Sequence, residues 1–157
     1  MNKKKLSHVD KTGRASMVDI SGKPEVARMA RAEGFIRLER ETIRMIRDNQ
    51  VKKGDVLSIA EFAGIQGAKN TSQLIPLCHP LRLTHVEVHA TLQEEGIQIS
   101  SSVKTHGPTG VEMEALTAVS VSLLTIYDMC KAVDHTMEIC RIRLLEKIKG
   151  DGKYNQD

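Results

Sequence analysis

Aromatic residues are scarce in this chain of 157 residues, which has no Trp, two Tyr and two Phe. Many nucleic-acid-binding proteins stack bases on aromatic side chains, so this scarcity and a net charge of only +3 argue against a nucleic-acid partner. The three cysteines are Cys78, Cys130 and Cys140. Their odd number and wide spacing argue against a disulfide framework and against a thiolate metal site, so we expect reduced thiols.

The sequence also lacks an uninterrupted apolar run that suggests a membrane span, and no apolar segment follows the basic start Met1–Lys5 as in a signal peptide. With 40% hydrophobic and 27% charged residues, the chain resembles an ordinary globular domain, and we expect it in the cytoplasm. Basic clusters occur at Lys3–Lys5, Lys52–Lys53 and Lys147–Lys149. Such clusters usually face solvent, although a small phosphorylated substrate is compatible with them.

Apolar spacing predicts an alternation of helices and strands. In chain order these are a helix at Pro24–Glu33, a strand at Phe35–Arg40, helices at Glu41–Asn49 and Asp55–Ala68, a hairpin of Val86–Leu92 with Ile97–Val103, a helix at Gly110–Val133 and a strand at Ile139–Ile148. From the first strand onward, this is the βαββαβ order of a ferredoxin-like α+β sandwich, with helices on one face of an antiparallel sheet. We expect a flexible segment over residues 1–20, one domain over 21–149 and a disordered tail over 150–157.

The predicted long helix has apolar residues on nearly every face. They are Val111, Leu116, Val119, Val121, Leu123, Leu124 and Ile126. One small sheet can cover only one side of such a helix. The other side needs a partner, and a homo-oligomer supplies it most simply.

The segment Lys69–Pro80 reads K-N-T-S-Q-L-I-P-L-C-H-P, with two prolines around a Cys–His pair. Each proline favours extended backbone in the residue before it, so Ile75 and His79 are held in non-helical geometry. A histidine presented in this way can donate or accept a proton, or contact phosphate, near neutral pH. The alternative is a rigid loop in which the histidine bonds a carbonyl group.

A second motif, T-H-G-P-T-G-V-E-M-E-A-L-T-A, begins at Thr105 and enters the long helix. Further motifs are K-K-G-D at Lys52–Asp55, A-G-I-Q-G-A-K at Ala63–Lys69 and S-M-V-D-I-S at Ser16–Ser21. Together with L-I-P-L-C-H-P, they resemble the MoaC family, the cyclic pyranopterin monophosphate synthases of molybdenum cofactor biosynthesis. The resemblance extends from about Leu6 to Gly150.

The resemblance implies a specific reaction. A cyclised dihydroguanosine triphosphate, made from GTP by a radical S-adenosylmethionine enzyme, is rearranged to cyclic pyranopterin monophosphate with release of pyrophosphate. This chain has no C-x-x-x-C-x-x-C motif and cannot be the radical enzyme. Proton shuttles and cations beside phosphate would suffice, so we expect no cofactor and no protein metal site, although a divalent cation such as Mg²⁺ could accompany the triphosphate. The resemblance also implies a hexamer built from three dimers.

The resemblance assigns ten residues to the active site. They are Lys53, Asp128 and Lys131 as catalytic residues, and Leu77, Cys78, His79, Glu112, Met113, Glu114 and Lys69 as substrate contacts. We assign the two glutamates to the pterin-forming end, where amino and amide donors need acceptors. Lys53 and Lys69 are assigned to phosphate binding or proton transfer, with a solvated turn lysine as the alternative for each.

Two of these assignments have strong structural alternatives. Asp128 and Lys131 lie three residues apart on a helix and could be a surface ion pair, but their apolar neighbours predict a desolvated acid–base couple. Glu112 could instead form a capping box with Thr109. For the whole chain, the rival readings are a non-catalytic oligomeric module of the same fold and another cyclase that acts on GTP directly.

Overall fold

The protein folds as one antiparallel sheet with helices packed against it, as seen in a computed structural model that describes residues 7–150 and the backbone of residues 152–154. The elements are β1 (Val26–Arg37), α1 (Arg40–Arg47), α2 (Val56–Lys69), α3 (Thr71–Leu74), β2 (Leu83–Leu92), β3 (Gly96–Gly107), α4 (Glu112–Cys130), β4 (Glu138–Lys149) and β5 (Gly152–Tyr154). The strand order is β2-β3-β1-β4-β5, with every pair antiparallel. The predicted α+β class is confirmed, and the arrangement is consistent with a ferredoxin-like sandwich.

The core lies between the sheet and the layer formed by α2 and α4. Strand β1 is central, paired with β3 and β4, and its Ala30 and Ala32 are fully buried. Helix α4 packs on β1, and α2 packs on α4 and β2. Gly64 permits the close approach of the two helices, because a Cβ atom there would lie 2.3 Å from the Ser122 hydroxyl oxygen. That hydroxyl donates a hydrogen bond to the Ala60 carbonyl at 2.8 Å and ties the helices together.

The predicted helix at Pro24–Glu33 is wrong, because the residues from Val26 onward form β1 and no helix precedes them in the described chain. Ala, Met and Arg favour helices in isolation, but this propensity is worth less than 1 kcal/mol per residue. A central strand gains two ladders of hydrogen bonds and buries its small residues beneath α4. Tertiary pairing therefore overrides local preference here. The other predicted helices, the β2–β3 hairpin and the closing strand are confirmed, whereas α3 was missed.

Helix α4 is shorter than predicted, beginning at Glu112 and ending at Cys130. The capping box suggested for Thr109 and Glu112 is absent, since Val111 is the N-cap residue and no side chain caps the helix. By length and hydropathy α4 could also span a membrane, but 56% of its apolar window is buried, as in many core helices. The sheet covers one side of α4 and α2 covers a second, so the need for a partner is smaller than the sequence indicated.

The chain ends differ from the sequence prediction in one respect. Residues 152–154 form the short strand β5 beside β4, where we expected a disordered tail. At the other end, residues 1–6 of the segment expected to be flexible lie outside the described residues, and residues 8–16 form a small hairpin with an isolated bridge between Val9 and Ala15.

Candidate active site

A pocket of about 290 Å³, called the acidic pocket below, opens beside the first turn of α4. It is lined by His8, Leu77, Cys78, His79, Leu81, Thr109, Gly110, Glu112, Met113 and Glu114. Six of the ten residues assigned to the site by resemblance therefore meet here, although they come from two segments more than 30 residues apart. The proline-framed loop supplies one wall, where Pro76 and Pro80 prevent a helix from forming between them.

Glu114 is the most buried acid of the acidic pocket, with 3% of its surface exposed. Burial, which disfavours the carboxylate, together with a smaller contribution from the nearby Glu112 raises its pKa to about 7, against the usual 4.5. A carboxyl group of this kind exchanges protons near neutral pH and can act as donor or acceptor toward a bound ring. Burial and Glu114 also raise the pKa of the Cys78 thiol, so Cys78 is not an activated thiolate.

Glu112 joins the acidic pocket to a second cavity. Its carboxylate folds back over Gly110, where a Cβ atom would lie 1.9 Å from the Oε2 atom. The same side chain forms an ion pair with Lys147 at 3.4 Å. Any side chain at position 110 would therefore displace this carboxylate.

The second cavity, the cationic pocket, measures about 280 Å³. It is lined by Arg28, Met29, Gly110, Glu112, Lys147, Ile148 and Lys149. The Arg28 guanidinium donates hydrogen bonds to the carbonyl groups of Gly107 and Pro108, both at 3.0 Å, and is held at the base of the loop before α4. Three cations next to one acid make this cavity suitable for a phosphate group.

Sequence reasoning did not bring together the three cations of the cationic pocket. Lys147 and Lys149 were noted as part of a basic cluster of a kind that usually faces solvent, with a small phosphorylated substrate as a compatible alternative, and Arg28 lies in a segment predicted to be helical. The available signal was the alternation of Lys147 and Lys149, which places both side chains on the same face of β4. The pairing of β4 with β1 places Arg28 opposite Lys149, and this register could not be predicted from the sequence.

At the other end of α4, three charged residues form the lysine–aspartate cluster. The Lys131 Nζ atom lies 2.7 Å from Oδ1 of Asp128, as the spacing predicted, and the Lys53 Nζ atom lies 2.7 Å from Oδ2. Lys53 also donates to the Asp128 carbonyl at 2.8 Å, which satisfies a backbone acceptor in the last turn of α4. A segment near α2 and the end of α4 are thus joined by one carboxylate.

The sequence predicted that this cluster would be shielded from solvent, but in a single chain its side chains are exposed. The side chains of Lys53, Asp128 and Lys131 are 48%, 57% and 59% exposed. Of the apolar neighbours in sequence, Ile126, Met129 and Cys130 are buried in the core, whereas Tyr127 and Val133 are themselves exposed. Successive residues of a helix point in directions about 100° apart, so neighbours in sequence do not share one environment. Hydrogen bonds from Lys131 and then Lys53 lower the Asp128 pKa to about 2, and Asp128 raises the pKa of Lys131. Both lysines therefore present ammonium groups fixed by an ionised carboxylate.

The two ends of α4 are far apart. Glu114 and Asp128 are separated by fourteen residues, or about 21 Å along the helix axis. Lys69, at the exposed end of α2, does not line the acidic pocket. Among the described residues, no group of three or more His, Cys, Asp or Glu side chains is arranged to hold a metal ion. One protomer thus carries two separate groups of predicted site residues, the acidic pocket and the lysine–aspartate cluster.

Comparison with known proteins gives a consistent result. Residues 17–150 match the MoaC family. A cyclic pyranopterin monophosphate synthase of Peptoclostridium acidaminophilum is 54% identical over 153 residues, which cover 97% of this chain and 98% of the relative. That of Heliobacterium modesticaldum is 57% identical over 152 residues, with 95% and 96% covered. Molybdenum cofactor biosynthesis protein 1 of Drosophila melanogaster is 50% identical over 158 residues, which cover 99% of this chain and 28% of that protein.

Proposed function

Because the chain belongs to the MoaC family, we infer that it is a cyclic pyranopterin monophosphate synthase, a lyase of molybdenum cofactor biosynthesis. Its substrate is 3',8-cyclo-7,8-dihydroguanosine 5'-triphosphate, and its products are cyclic pyranopterin monophosphate and pyrophosphate. The observation that carries this assignment to particular residues is the acidic pocket, which gathers the L-C-H and E-M-E segments around one cavity.

We propose a division of labour between the two adjoining pockets. The base is rebuilt in the acidic pocket, where Glu114, near its pKa at neutral pH, can pass protons to and from ring nitrogen atoms. The triphosphate lies toward Arg28 and Lys147, whose charges stabilise it as a sugar oxygen attacks the α-phosphorus and pyrophosphate leaves. No resident cofactor enters this scheme, and a divalent cation such as Mg²⁺ would arrive with the triphosphate.

We propose further that the lysine–aspartate cluster completes the site from a second subunit. Its lysines lie about 21 Å from Glu114 along α4, too far for one small nucleotide to contact both easily. The outward face of the helical layer also presents apolar side chains, with Phe62 on α2 72% exposed and Leu124 on α4 60% exposed. Two-fold packing of these helices would bury them and supply Lys53 and Lys131 to the neighbour, where the lower dielectric constant would strengthen their attraction to the phosphate groups.

The wider assembly and cellular setting are proposed from the family. Three such dimers make the homohexamer that the resemblance implies, with the site residues at each dimer interface, and Lys69 contributes to phosphate binding from the end of α2. A radical S-adenosylmethionine enzyme supplies the substrate in the same compartment, the cytoplasm. We also propose that the antiparallel sheet and its helices form a ferredoxin-like sandwich.

The function is tested by incubating the purified protein with the cyclised dihydroguanosine triphosphate or with GTP alone. We expect pyrophosphate and cyclic pyranopterin monophosphate from the first substrate and no product from GTP. Product from GTP alone would support a cyclase that acts on GTP directly. Absence of product from both would support a non-catalytic module.

A further inference from the structure

The segment before β1 folds into a small hairpin, residues 8–16, called the N-terminal hairpin below. The Asp10 carboxylate accepts hydrogen bonds from the amide and hydroxyl groups of Thr12 at 2.8 and 2.7 Å and from the Arg14 amide at 2.9 Å. Gly13 completes the turn with a positive φ of 85°, which favours glycine. The Ser16 amide donates to the His8 carbonyl at 3.0 Å and closes the hairpin at its base.

This hairpin reaches the acidic pocket. His8 lines the cavity together with Cys78, His79 and Glu114, although some 70 residues separate it from the nearest of them in sequence. The chain beyond the hairpin remains near the pocket: hydrogen bonds from Ser21 are the main cause that lowers the Asp19 pKa, and a smaller electrostatic contribution from His79 lowers it in the same direction. The segment from His8 to Asp19 thus crosses the wall formed by the proline-framed loop.

The N-terminal hairpin is held to the rest of the protein weakly. Its residues are exposed throughout, including the apolar side chain of Val9, and Met17 just after it is also exposed. The hydrogen bonds between its backbone groups all join residues within 8–16 to one another. A segment with local order and little buried area can detach and return without disturbing the core.

We propose that the N-terminal hairpin is a strap that closes the acidic pocket over the bound substrate, and that His8 contacts the substrate from the side of the strap. The proposal rests on the proposed function for the identity of the ligand. The remaining polar side chains of the pocket include two acids, Glu112 and Glu114, so an imidazole supplies a hydrogen-bond donor that complements them. Closure also excludes water from the ring while it is opened and rebuilt.

Steady-state kinetics test the role of His8. We expect His8→Ala to lower kcat/KM for the cyclised dihydroguanosine triphosphate by about tenfold, the size of one lost hydrogen bond in a closed site. His8→Gln should recover part of that loss, because the amide can still donate, whereas a merely structural role predicts no such rescue. Lys11→Ala, at the exposed tip of the same hairpin, is the matched control and should retain full kcat/KM. His8→Ala with kcat/KM within twofold of wild type would overturn the contact.

Thiol labelling tests the strap without relying on catalysis. In a Cys140→Ser background, Cys78 is the only partly exposed cysteine among the described residues, and it lies in the pocket. Asp10→Ala removes three hydrogen bonds of the turn and should increase the rate of maleimide labelling at Cys78 by about fivefold, since the strap opens more often. Addition of the cyclised substrate should slow labelling more in the parent than in Asp10→Ala. Equal labelling rates in both proteins would overturn the strap.

The two experiments separate this inference from the proposed function. Faster labelling in Asp10→Ala, combined with a wild-type protein that makes no product, would mean that the strap exists and the assigned reaction is wrong. An active wild-type protein with unchanged labelling and unchanged His8→Ala kinetics would leave the reaction standing and remove the strap.

Discussion

Lys53 and Asp128 are 75 residues apart in sequence, yet the Lys53 ammonium lies 2.7 Å from the Asp128 carboxylate. The contact joins the turn before α2 to the end of α4 and leaves one carboxylate between two lysines. Because the Asp128 pKa is about 2, this group stays ionised at neutral pH and is better suited to hold lysines in place than to donate a proton. In the proposed scheme, proton transfer therefore rests on Glu114, while Lys131, whose pKa Asp128 raises, remains a charged partner for phosphate.

The first prediction concerns Lys131→Ala. Product formation should be lost, by a factor of about 10² or more if Lys131 transfers a proton or stabilises developing charge. The melting temperature and the oligomeric state should hardly change, since this ion pair is exposed and such pairs contribute little to stability. Turnover of the cyclised substrate and a thermal melt measure the two effects. Lys52→Ala, an exposed lysine without a role in the scheme, is the control, and a Lys131→Ala protein with most of its turnover would contradict the assignment.

The second prediction concerns the proline-framed loop. His79→Ala should reduce turnover strongly, whereas Cys78→Ser should reduce it much less, because burial raises the pKa of the Cys78 thiol and it is therefore not an activated thiolate. Both side chains line the same pocket, so Cys78→Ser serves as the control for a change in the shape of the pocket. Rates with the cyclised substrate and metal analysis of both variants provide the measurement. Stoichiometric zinc that is lost in both variants would indicate a metal site instead.

The limits of sequence reasoning are clearest in β1 and in the lysine–aspartate cluster. The long amphipathic and apolar segments predicted α2, α4 and the hairpin well, because their spacing is set by local burial. The segment at Pro24–Glu33 was misassigned, because its strand conformation depends on ladders with β3 and β4 that no local pattern encodes. The exposure of Asp128 was misjudged because apolar neighbours do not imply burial: Ile126 and Met129 lie in the core, but Tyr127 is exposed beside Asp128.

The candidate site shows the same division. The resemblance to the MoaC family supplied the residues of the acidic pocket, and the structure brings six of them together. Arg28 and His8 were not found, because each joins a pocket through tertiary placement and neither stands in a motif with a known spacing. The contact between Lys53 and Asp128 likewise depends on packing between separate segments.

The third prediction tests the packing of the helical layer. Gly64→Ala should destabilise the fold by about 1–3 kcal/mol, because the new methyl group would overlap the Ser122 hydroxyl and press on the Ala118 carbonyl, 3.0 Å away. Denaturant unfolding gives the change. Gly22→Ala is the matched control, since a Cβ atom there would meet nothing within 4 Å. Equal destabilisation by the two substitutions would mean that α2 and α4 are less closely packed than the structure shows.

The fourth prediction is a pH dependence of stability caused by Glu114. Its folded pKa of about 7 exceeds the ordinary value of 4.5, so between these pH values the folded state binds a proton that the unfolded state has lost. The free energy of unfolding should therefore fall as pH rises from 4.5 through 7, by roughly 3 kcal/mol for this one group. Glu114→Gln should remove this fall and be more stable than wild type at pH 8.

Unfolding of both proteins at pH 5 and pH 8, at one protein concentration, measures this effect. Glu94→Gln, at an exposed position in the β2–β3 turn, is the control and should follow the wild-type curve. If Glu114→Gln lost stability between pH 5 and pH 8 as steeply as wild type, the buried Glu114 carboxyl would not be its source. Turnover should also decline above pH 7 in the wild-type protein if the protonated carboxyl is the donor.

The last prediction decides whether the site is shared between subunits. Glu114→Ala and Lys131→Ala should each be nearly inactive alone. If the acidic pocket of one subunit works with the lysine–aspartate cluster of its neighbour, a heterodimer has one site with both changes and one intact site. Equal mixing after reversible dissociation makes half of the dimers heterodimers, so about a quarter of wild-type activity should return. Differently tagged subunits must be shown to co-purify. Mixed dimers without recovered activity would mean that Glu114 and Lys131 act within one chain, and the 21 Å between Glu114 and the cluster would then have to be bridged by the substrate itself.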